Sequence, residues 1–473
     1  MGKPKRFFIG FSCTRRSQTA ACASFASNGH RPPLAMHLFR QRRSQTAATM
    51  RQNLVARRLN STGMPIRGSS HNWFGLKTGQ NAIASGGGGC IMRAVFPKMR
   101  LPAWQIVFSL ICVMSVFILC PLVAAGLAVS ASADAAAVVA TSMLPAVPDA
   151  RGFAGSFAGV LGRRLVAGGG ANFPDGVMPW DGGKKVWHDT LYALDLDTPE
   201  TGWKIIGHLP QPNGYGVSLS VREGVVLIGG GDASRHFREV WLLTLTADGQ
   251  PQFRPLPPLA VSLAQMCAAQ VGRQIHLCGG IQTPDAVVAS NAHCMLDLDA
   301  LDQAWQPMPP LPAAGRILAT AAAVDGAFYC LAGCSLAPDA AGKPLRTYLR
   351  DAWKFFDGRW SRIADLPHPL VAAASPAPVA GSAVFVVSGD DGSQIGLSSP
   401  AAHTGFSKEV LRYDTRHDNW STAGELGVTP PVTAAVAPWR GDFIFFNGEI
   451  RPGVRTPQVF LFTPPASTPA AHE

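Results

Sequence analysis

Val225-Val226-Leu227-Ile228-Gly229-Gly230 is an apolar run that stops on a glycine pair, and Phe253 followed by Pro257-Pro258 comes after it. The same order recurs along the last two-thirds of the chain. The marks that end the apolar runs are Gly169-Gly170, Gly229-Gly230, Gly279-Gly280, Ala332-Gly333, Ser388-Gly389 and Asn447-Gly448, with steps of 60, 50, 53, 56 and 59 between their second residues. An aromatic residue follows each of the first five marks: Trp203, Phe253, Trp305, Trp360 and Trp420. In four cases a Leu-Pro or Pro-Pro pair comes next, at Leu209-Pro210, Pro257-Pro258, Pro309-Pro310 and Leu366-Pro367. Small residues precede the marks, as in Ser156-Phe157-Ala158-Gly159, Gly216-Val217-Ser218, Cys267-Ala268-Ala269, Thr320-Ala321-Ala322 and Thr433-Ala434-Ala435.

A strand-rich, glycine-marked repeat near 50 residues is the pattern of kelch-type blades. Each blade is a four-stranded antiparallel sheet, and the blades stand radially around a channel. One such sheet buries too little apolar surface alone, so blades must stack. Inner strands crowd the axis, which calls for small side chains. The fold class is therefore all-β, a six-bladed kelch-type β-propeller; a β-sandwich with glycine turns is the alternative, and six evenly spaced copies disfavour it. After Asn447-Gly448 only Gln458 to Phe462 remains as a strand. The outer strand missing from the sixth blade is expected from Ala137 to Pro145, whose Met143-Leu144-Pro145 resembles the close of an aromatic-to-proline strand. Strands from both ends of the domain then close the last blade and leave no open sheet edge.

Composition divides the chain. The net charge of +11 comes from 41 Lys+Arg against 30 Asp+Glu. Residues 1–100 hold 17 Lys+Arg and no acid, so the rest carries 24 against 30, a net −6. The propeller portion thus has no basic footprint for nucleic acid. Residues 1–91 read as a disordered basic arm or as an extension upstream of the true start; they repeat Arg-Arg-Ser-Gln-Thr-Ala-Ala at 15–21 and 42–48. Residues 92–133 read as a signal peptide or an N-terminal membrane anchor: Arg93, Lys98 and Arg100, then an uncharged run from Ile106 to Cys120, then Ala131-Ser132-Ala133. Either reading exports residues 134–465, the propeller, to the periplasm or beyond, with membrane contact only through an uncleaved segment; 466–473 form a disordered tail. Cys267 and Cys278 flank the Gly272-Arg273 turn, where a two-residue hairpin sets them opposite each other. They are candidates for a cross-strand disulfide or, alternatively, small core residues. No Cys/His spacing matches a zinc site.

Propellers bind small ligands where loops converge at the channel mouth, so the segment after each mark is where chemistry is expected. The last is the most unusual: Asn447-Gly448-Glu449-Ile450-Arg451-Pro452-Gly453-Val454-Arg455-Thr456 offers a carboxylate and two guanidiniums on a loop stiffened by proline and glycine. A Glu and an Arg held together there can supply a proton-transfer group and a carboxylate clamp.

This loop resembles the NGE-x-[KR]-PG-x-RT loop of bacterial N-acetylneuraminate epimerases, the kelch sialic-acid mutarotases. Gly152-Phe153-Ala154-Gly155 with Ala167-Gly168-Gly169-Gly170-Ala171, and Tyr215-Gly216-Val217-Ser218-Leu219 with Leu227-Ile228-Gly229-Gly230, are similar to two further blades of that family. Here those blades open the chain instead of closing it, which is similar to the cyclically permuted mutarotase branch. The resemblance implies an isomerase that interconverts sialic acid anomers without a cofactor, with Glu449 and Arg455 catalytic. Substrate-binding residues for a sugar acid are expected at the same mouth: Asn447 and Arg451 on this loop, Asn172 after the first mark, Tyr215 at the start of an inner strand, and Arg316 where the family places an arginine. Ile317-Leu318 replaces the polar pair that follows the family's arginine, a departure at Arg316. Trp180 and Lys184 lie in the 172–188 loop, which reads as a lid or as a solvated excursion.

Two other classes fit a kelch propeller. A copper radical oxidase needs converging Tyr, His and Cys groups, and Tyr192, Tyr215, Tyr329, Tyr348 and Tyr413 form no Tyr/His cluster at inner-strand ends. A non-catalytic exported propeller that binds glycans or a protein partner differs from a mutarotase in tolerating loss of Glu449.

Overall fold

A computed structural model describes residues 137–466, so the expectations for residues 1–91, 92–133 and most of the 466–473 tail fall outside the described residues. The described chain is all-β apart from three 3-10 turns, and its main sheets form the six blades of a propeller. Blade 1 comprises Phe157–Leu161, Arg164–Gly168, Thr190–Asp195 and Lys204–His208, in order from axis to rim. Blades 2 to 5 begin at Val217, Cys267, Thr320 and Val379 and repeat that meander. Blade 6 is Ala435–Trp439, Asp442–Phe446 and Val459–Phe462, with Thr141–Leu144 paired antiparallel on its rim. The closure by both ends is therefore present. It differs in one respect from the single strand expected at 137–145: Val138–Val139 leaves blade 6 and adds a parallel fifth strand to blade 5, opposite Glu425 and Leu426. Among the described residues no helix is long and apolar enough to cross a membrane.

The aromatic-then-proline spacing has a physical cause. In blades 1, 3, 4 and 5 a rim tryptophan donates its indole N–H to a carbonyl in the turn that ends the preceding blade. Trp305 Nε1 bonds Pro257 O at 3.0 Å, Trp360 bonds Pro309 O at 2.8 Å, and Trp420 bonds Ala364 O at 2.8 Å. The same device closes the ring, because Trp203 Nε1 of blade 1 bonds Pro145 O at 2.7 Å, at the end of the strand supplied to blade 6. Phe253 has no such donor and packs edge-on against Trp241. Apolar clusters fill every gap between blades, and Phe445, Phe460 and Phe462 are fully buried where blades 5 and 6 meet.

The marks turn the chain out of the second strand in a left-handed conformation. The first residue takes positive φ even where it is not glycine: 52° at Ala332, 61° at Ser388 and 55° at Asn447. At Gly448 a Cβ would lie 2.6 Å from Val432 O, so the backbone of the next loop excludes any side chain there.

Cys267 and Cys278 do face each other across the blade 3 hairpin. The disulfide is absent: both are free, buried thiols, and Cys267 Sγ lies 3.8 Å from Cys330 Sγ on the next blade. Cysteine here serves as a small core residue.

Candidate active site

The residue ahead of each inner strand sits in a ring around the channel. Gly155, Tyr215, Gln265, Leu318, Ala372 and Thr433 all have φ between 54° and 67°. Each donates its N–H to the carbonyl of its counterpart on the preceding blade, at 2.7–3.0 Å, and Gly155 completes the circle with Thr433 O. Five of the six are not glycine, and a left-handed backbone costs such residues about 1–2 kcal/mol each. The closed circle of hydrogen bonds holds them there, and it fixes five side chains at one level of the channel.

Above this ring opens a cavity of about 500 Å³, within the roughly 300–1,000 Å³ typical of small-molecule sites. A smaller chamber of about 70 Å³, lined by inner-strand residues such as Ser218 and Ala435, lies against the ring as well. Three hairpins follow the marks of blades 1, 4 and 6: Ala171–Asn172 with Val186–Trp187, Cys334–Pro338 with Pro344–Tyr348, and Glu449–Arg451 with Val454–Arg455.

Glu449 lines the cavity. Its Oε1 accepts the Gly453 N–H at 3.1 Å and its Oε2 meets Arg455 Nη2 at 3.2 Å, so the hairpin turn and the guanidinium fix the carboxylate together. A carboxylate has about four acceptor sites, and these contacts leave lone pairs on both oxygens. Arg455 stands behind Glu449 and does not form the cavity wall. It is buried, lies 4.6 Å over the face of Phe173, and donates Nε to Ala171 O at 3.4 Å. Its Nη1 is buried without a partner. Arg455 thus orients the Glu449 carboxylate from behind the cavity wall.

Tyr215 is the other expected residue in the wall, as the blade 2 member of the ring. The remaining four lie off the cavity. Asn172 is fully buried: its amide donates to Gly152 O at 3.0 Å and His188 Nε2 donates to its Oδ1 at 2.8 Å. Arg316 is buried at the seam of blades 3 and 4, where it pairs bidentately with Asp351 at 3.0 and 2.8 Å. Leu318 takes the ring position beside it. Asn447 is buried with its amide donating to Gln458 O at 3.3 Å, and Arg451 is exposed on the hairpin outside the wall. Trp180 and Met178 of the 172–188 excursion close over Gly453, leaving no room for a Cβ there, so this loop packs on the Glu449 hairpin.

The wall also contains polar groups that the sequence did not single out. Tyr348 donates to Asp390 Oδ2 at 2.6 Å, and burial together with that bond raises the phenol above its ordinary value. Burial pushes Asp232 up, but hydrogen bonds from Ser234 and the Arg235 N–H outweigh it and hold the carboxyl below its usual range. Burial lowers the pKa of His236, which contacts Ile281 O through Nδ1. Lys185 sits over the rings of Trp187 and Tyr215, and Arg346 extends from the blade 4 hairpin. Asp232 and Asp390 lie just past their glycine marks, as Glu449 does, so the rule that found Glu449 finds them too. Lys185 and Arg346 sit on excursions with no repeat to index them.

Residues 130–251 match the family model described as N-acetylneuraminate epimerase. That stretch resembles the epimerases. It takes in Lys185, Tyr215, Asp232 and His236 but ends well before Glu449. N-acetylneuraminate epimerase of Yersinia pestis (strain Pestoides F) is 40% identical over 87 residues, 17% of this chain and 21% of that protein. The Salmonella enteritidis PT4 protein of the same name is 39% identical over 103 residues, 20% of this chain and 26% of that protein. The chain thus spans about a fifth to a quarter of the curated relatives it matches. The solved structure of YjhT superposes with a TM-score of 0.52 at 15% identity, covering 68% of this chain and 97% of that one, which establishes the shared fold.

Proposed function

We propose that this protein is a sialic acid mutarotase, interconverting the α and β anomers of N-acetylneuraminate. The observation that carries the reading is Glu449: a carboxylate in the cavity wall, fixed by a buried arginine on a hairpin whose sequence resembles the family's loop. The epimerase names of the relatives that match the opening blades support the same substrate. The proposal includes a permuted blade order, under which a linear family model would match the chain over one piece, as the 130–251 match does.

The anomeric carbon of sialic acid bears a hydroxyl, a carboxylate and the ring oxygen. In the proposed reaction Glu449 accepts the hydroxyl proton as the bond from the anomeric carbon to the ring oxygen breaks, and passes that proton to the ring oxygen. The open-chain ketone rotates, and the reverse steps close the ring on its other face. Proton count and oxidation state are unchanged overall, so an acid/base group and a shaped cavity suffice. The Gly453 N–H and Arg455 hold the carboxylate at one place through both steps. Export through residues 92–133 would place this chemistry where free sialic acid arrives from outside.

Proton NMR of freshly released α-N-acetylneuraminate tests the reading. Purified protein should speed the appearance of the β signals, and Glu449→Gln should remove the acceleration. A folded wild-type protein that leaves the spontaneous rate unchanged would refute it.

A further inference from the structure

We propose that Lys185 binds the substrate carboxylate; this rests on the mutarotase reading above. The reaction places strict demands on that group. In sialic acid the carboxylate sits on the same carbon as the reacting hydroxyl, so the cation that holds it must stand beside Glu449 and be free to accept an anion.

Four cations come into question for this role: the two expected from the sequence, Arg455 and Arg451, and the two that line the cavity, Lys185 and Arg346. Arg455 is buried behind Glu449 and does not line the cavity, and Arg451 is exposed outside the wall. Lys185 and Arg346 line the cavity, and neither has a hydrogen bond or ion pair among the described residues. Position separates these two. Arg346 belongs to blade 4, two blades from Glu449, whereas Lys185 belongs to blade 1, which adjoins blade 6 in the closed ring.

Contacts tie the Lys185 excursion to the Glu449 hairpin at two places. Trp187, two residues on, pairs with Ala171, whose carbonyl receives Arg455 Nε. Met178 and Trp180, earlier in the same excursion, pack on Gly453, whose N–H holds Glu449.

The setting of the ammonium fits the task. Lys185 Nζ lies 5.4 Å from the Trp187 ring centre and 5.2 Å from that of Tyr215. Ring faces stabilise a cation without using its N–H donors. They also screen one side from water, which strengthens a charge-assisted hydrogen bond formed on the other. Two aromatic rings, one of them locked by the left-handed ring position of Tyr215, thus preset a lysine whose three donors remain available to a carboxylate.

The test compares N-acetylneuraminate with its methyl ester, which keeps the hemiketal and removes the charge. Mutarotation of both is followed by NMR with wild-type protein, Lys185→Met and Lys185→Arg, and thermal melting checks folding. The ratio of kcat/KM for the acid to that for the ester should fall about 30-fold in Lys185→Met, the size expected for one charge-assisted hydrogen bond, and recover largely in Lys185→Arg. An unchanged ratio in an active Lys185→Met protein overturns the assignment, as does a charge-selective loss found in Arg346→Met instead. Wild-type protein that accelerates neither compound fails differently: it overturns the mutarotase reading, and the role of Lys185 falls with it.

Discussion

Two arginine–carboxylate pairs in this propeller are built from the same chemistry and differ in what they leave unsaturated. Arg316 and Asp351 close the seam between blades 3 and 4. Two parallel contacts at 3.0 and 2.8 Å join them, Arg316 also donates to Ala332 O, and the Trp353 indole donates to Asp351 at 2.6 Å. Burial pushes the Asp351 carboxyl up, and the Arg316 hydrogen bond and charge outweigh it, holding the carboxyl below its usual range. Arg455 and Glu449 share one contact at 3.2 Å; Arg455 Nη1 has no partner, and Glu449 faces the cavity. Each arginine keeps one buried nitrogen without a partner, Arg316 Nε and Arg455 Nη1. The carboxylates differ: Asp351 is held in the seam by Arg316 and Trp353, whereas Glu449 keeps lone pairs open to the cavity, and that difference separates the two pairs.

The largest expected effect falls on the open pair. Glu449→Gln keeps the shape and removes the base, so mutarotation should drop about 10³-fold with little change in melting temperature, measured by NMR and circular dichroism on one preparation. Next comes the split between the arginines. Arg316→Met strands a half-buried Asp351 and should cost about 3–5 kcal/mol in urea unfolding. Arg455→Met should cost less stability, because Glu449 can turn to solvent in the cavity, and should lose about 10²-fold in rate. Equal stability losses would remove the distinction drawn between the pairs.

Acid sharpens the comparison. His276 and His293 lie stacked between Phe328, Phe355 and Trp360 at the same seam, with His276 Nδ1 2.9 Å from His293 Nε2. Burial lowers both to about 4, and the neighbouring His276 lowers His293 further. The unfolded chain binds protons at these histidines from about pH 6.5 downward and the folded chain does not. Their contribution is therefore undiminished above pH 6.5 and is lost between pH 6.5 and about 4, on the order of 3 kcal/mol for each histidine. Asp351 has a depressed value instead, so its contribution is kept until the pH falls below the ordinary aspartate range. Urea midpoints against pH should decline in two separate windows, and Asp351→Asn should shrink only the lower one, to which Asp232 also contributes. The smallest effect concerns ring closure: Trp203→Phe deletes the bond to Pro145 O and should cost about 1 kcal/mol, with faster proteolysis near residues 138–145.

The propeller was legible because its repeat is built from backbone necessities. A left-handed turn after each second strand selects glycine or a tolerant substitute, and a rim indole reaching the preceding turn selects the aromatic–proline spacing. Glu449 was legible for the same reason, lying one residue past its mark. Asn172, Arg316 and Asn447 show the limit of that rule: adjacency to a mark or an inner strand does not say whether a side chain points to the channel, and all three are buried off the cavity. Lys185 and Tyr348 were invisible because hairpins inserted after the marks follow no period. The opposition of Cys267 and Cys278 could be read from the turn between them, whereas the bond could not, since register alone does not set sulfur geometry.

The most direct test of the central claim is magnetisation exchange between the two anomers of equilibrated N-acetylneuraminate, measured with wild-type protein and with Glu449→Gln. The expected result is exchange well above the spontaneous rate with the wild type, abolished in a Glu449→Gln protein that melts normally. Equal exchange in the presence of both proteins would contradict it.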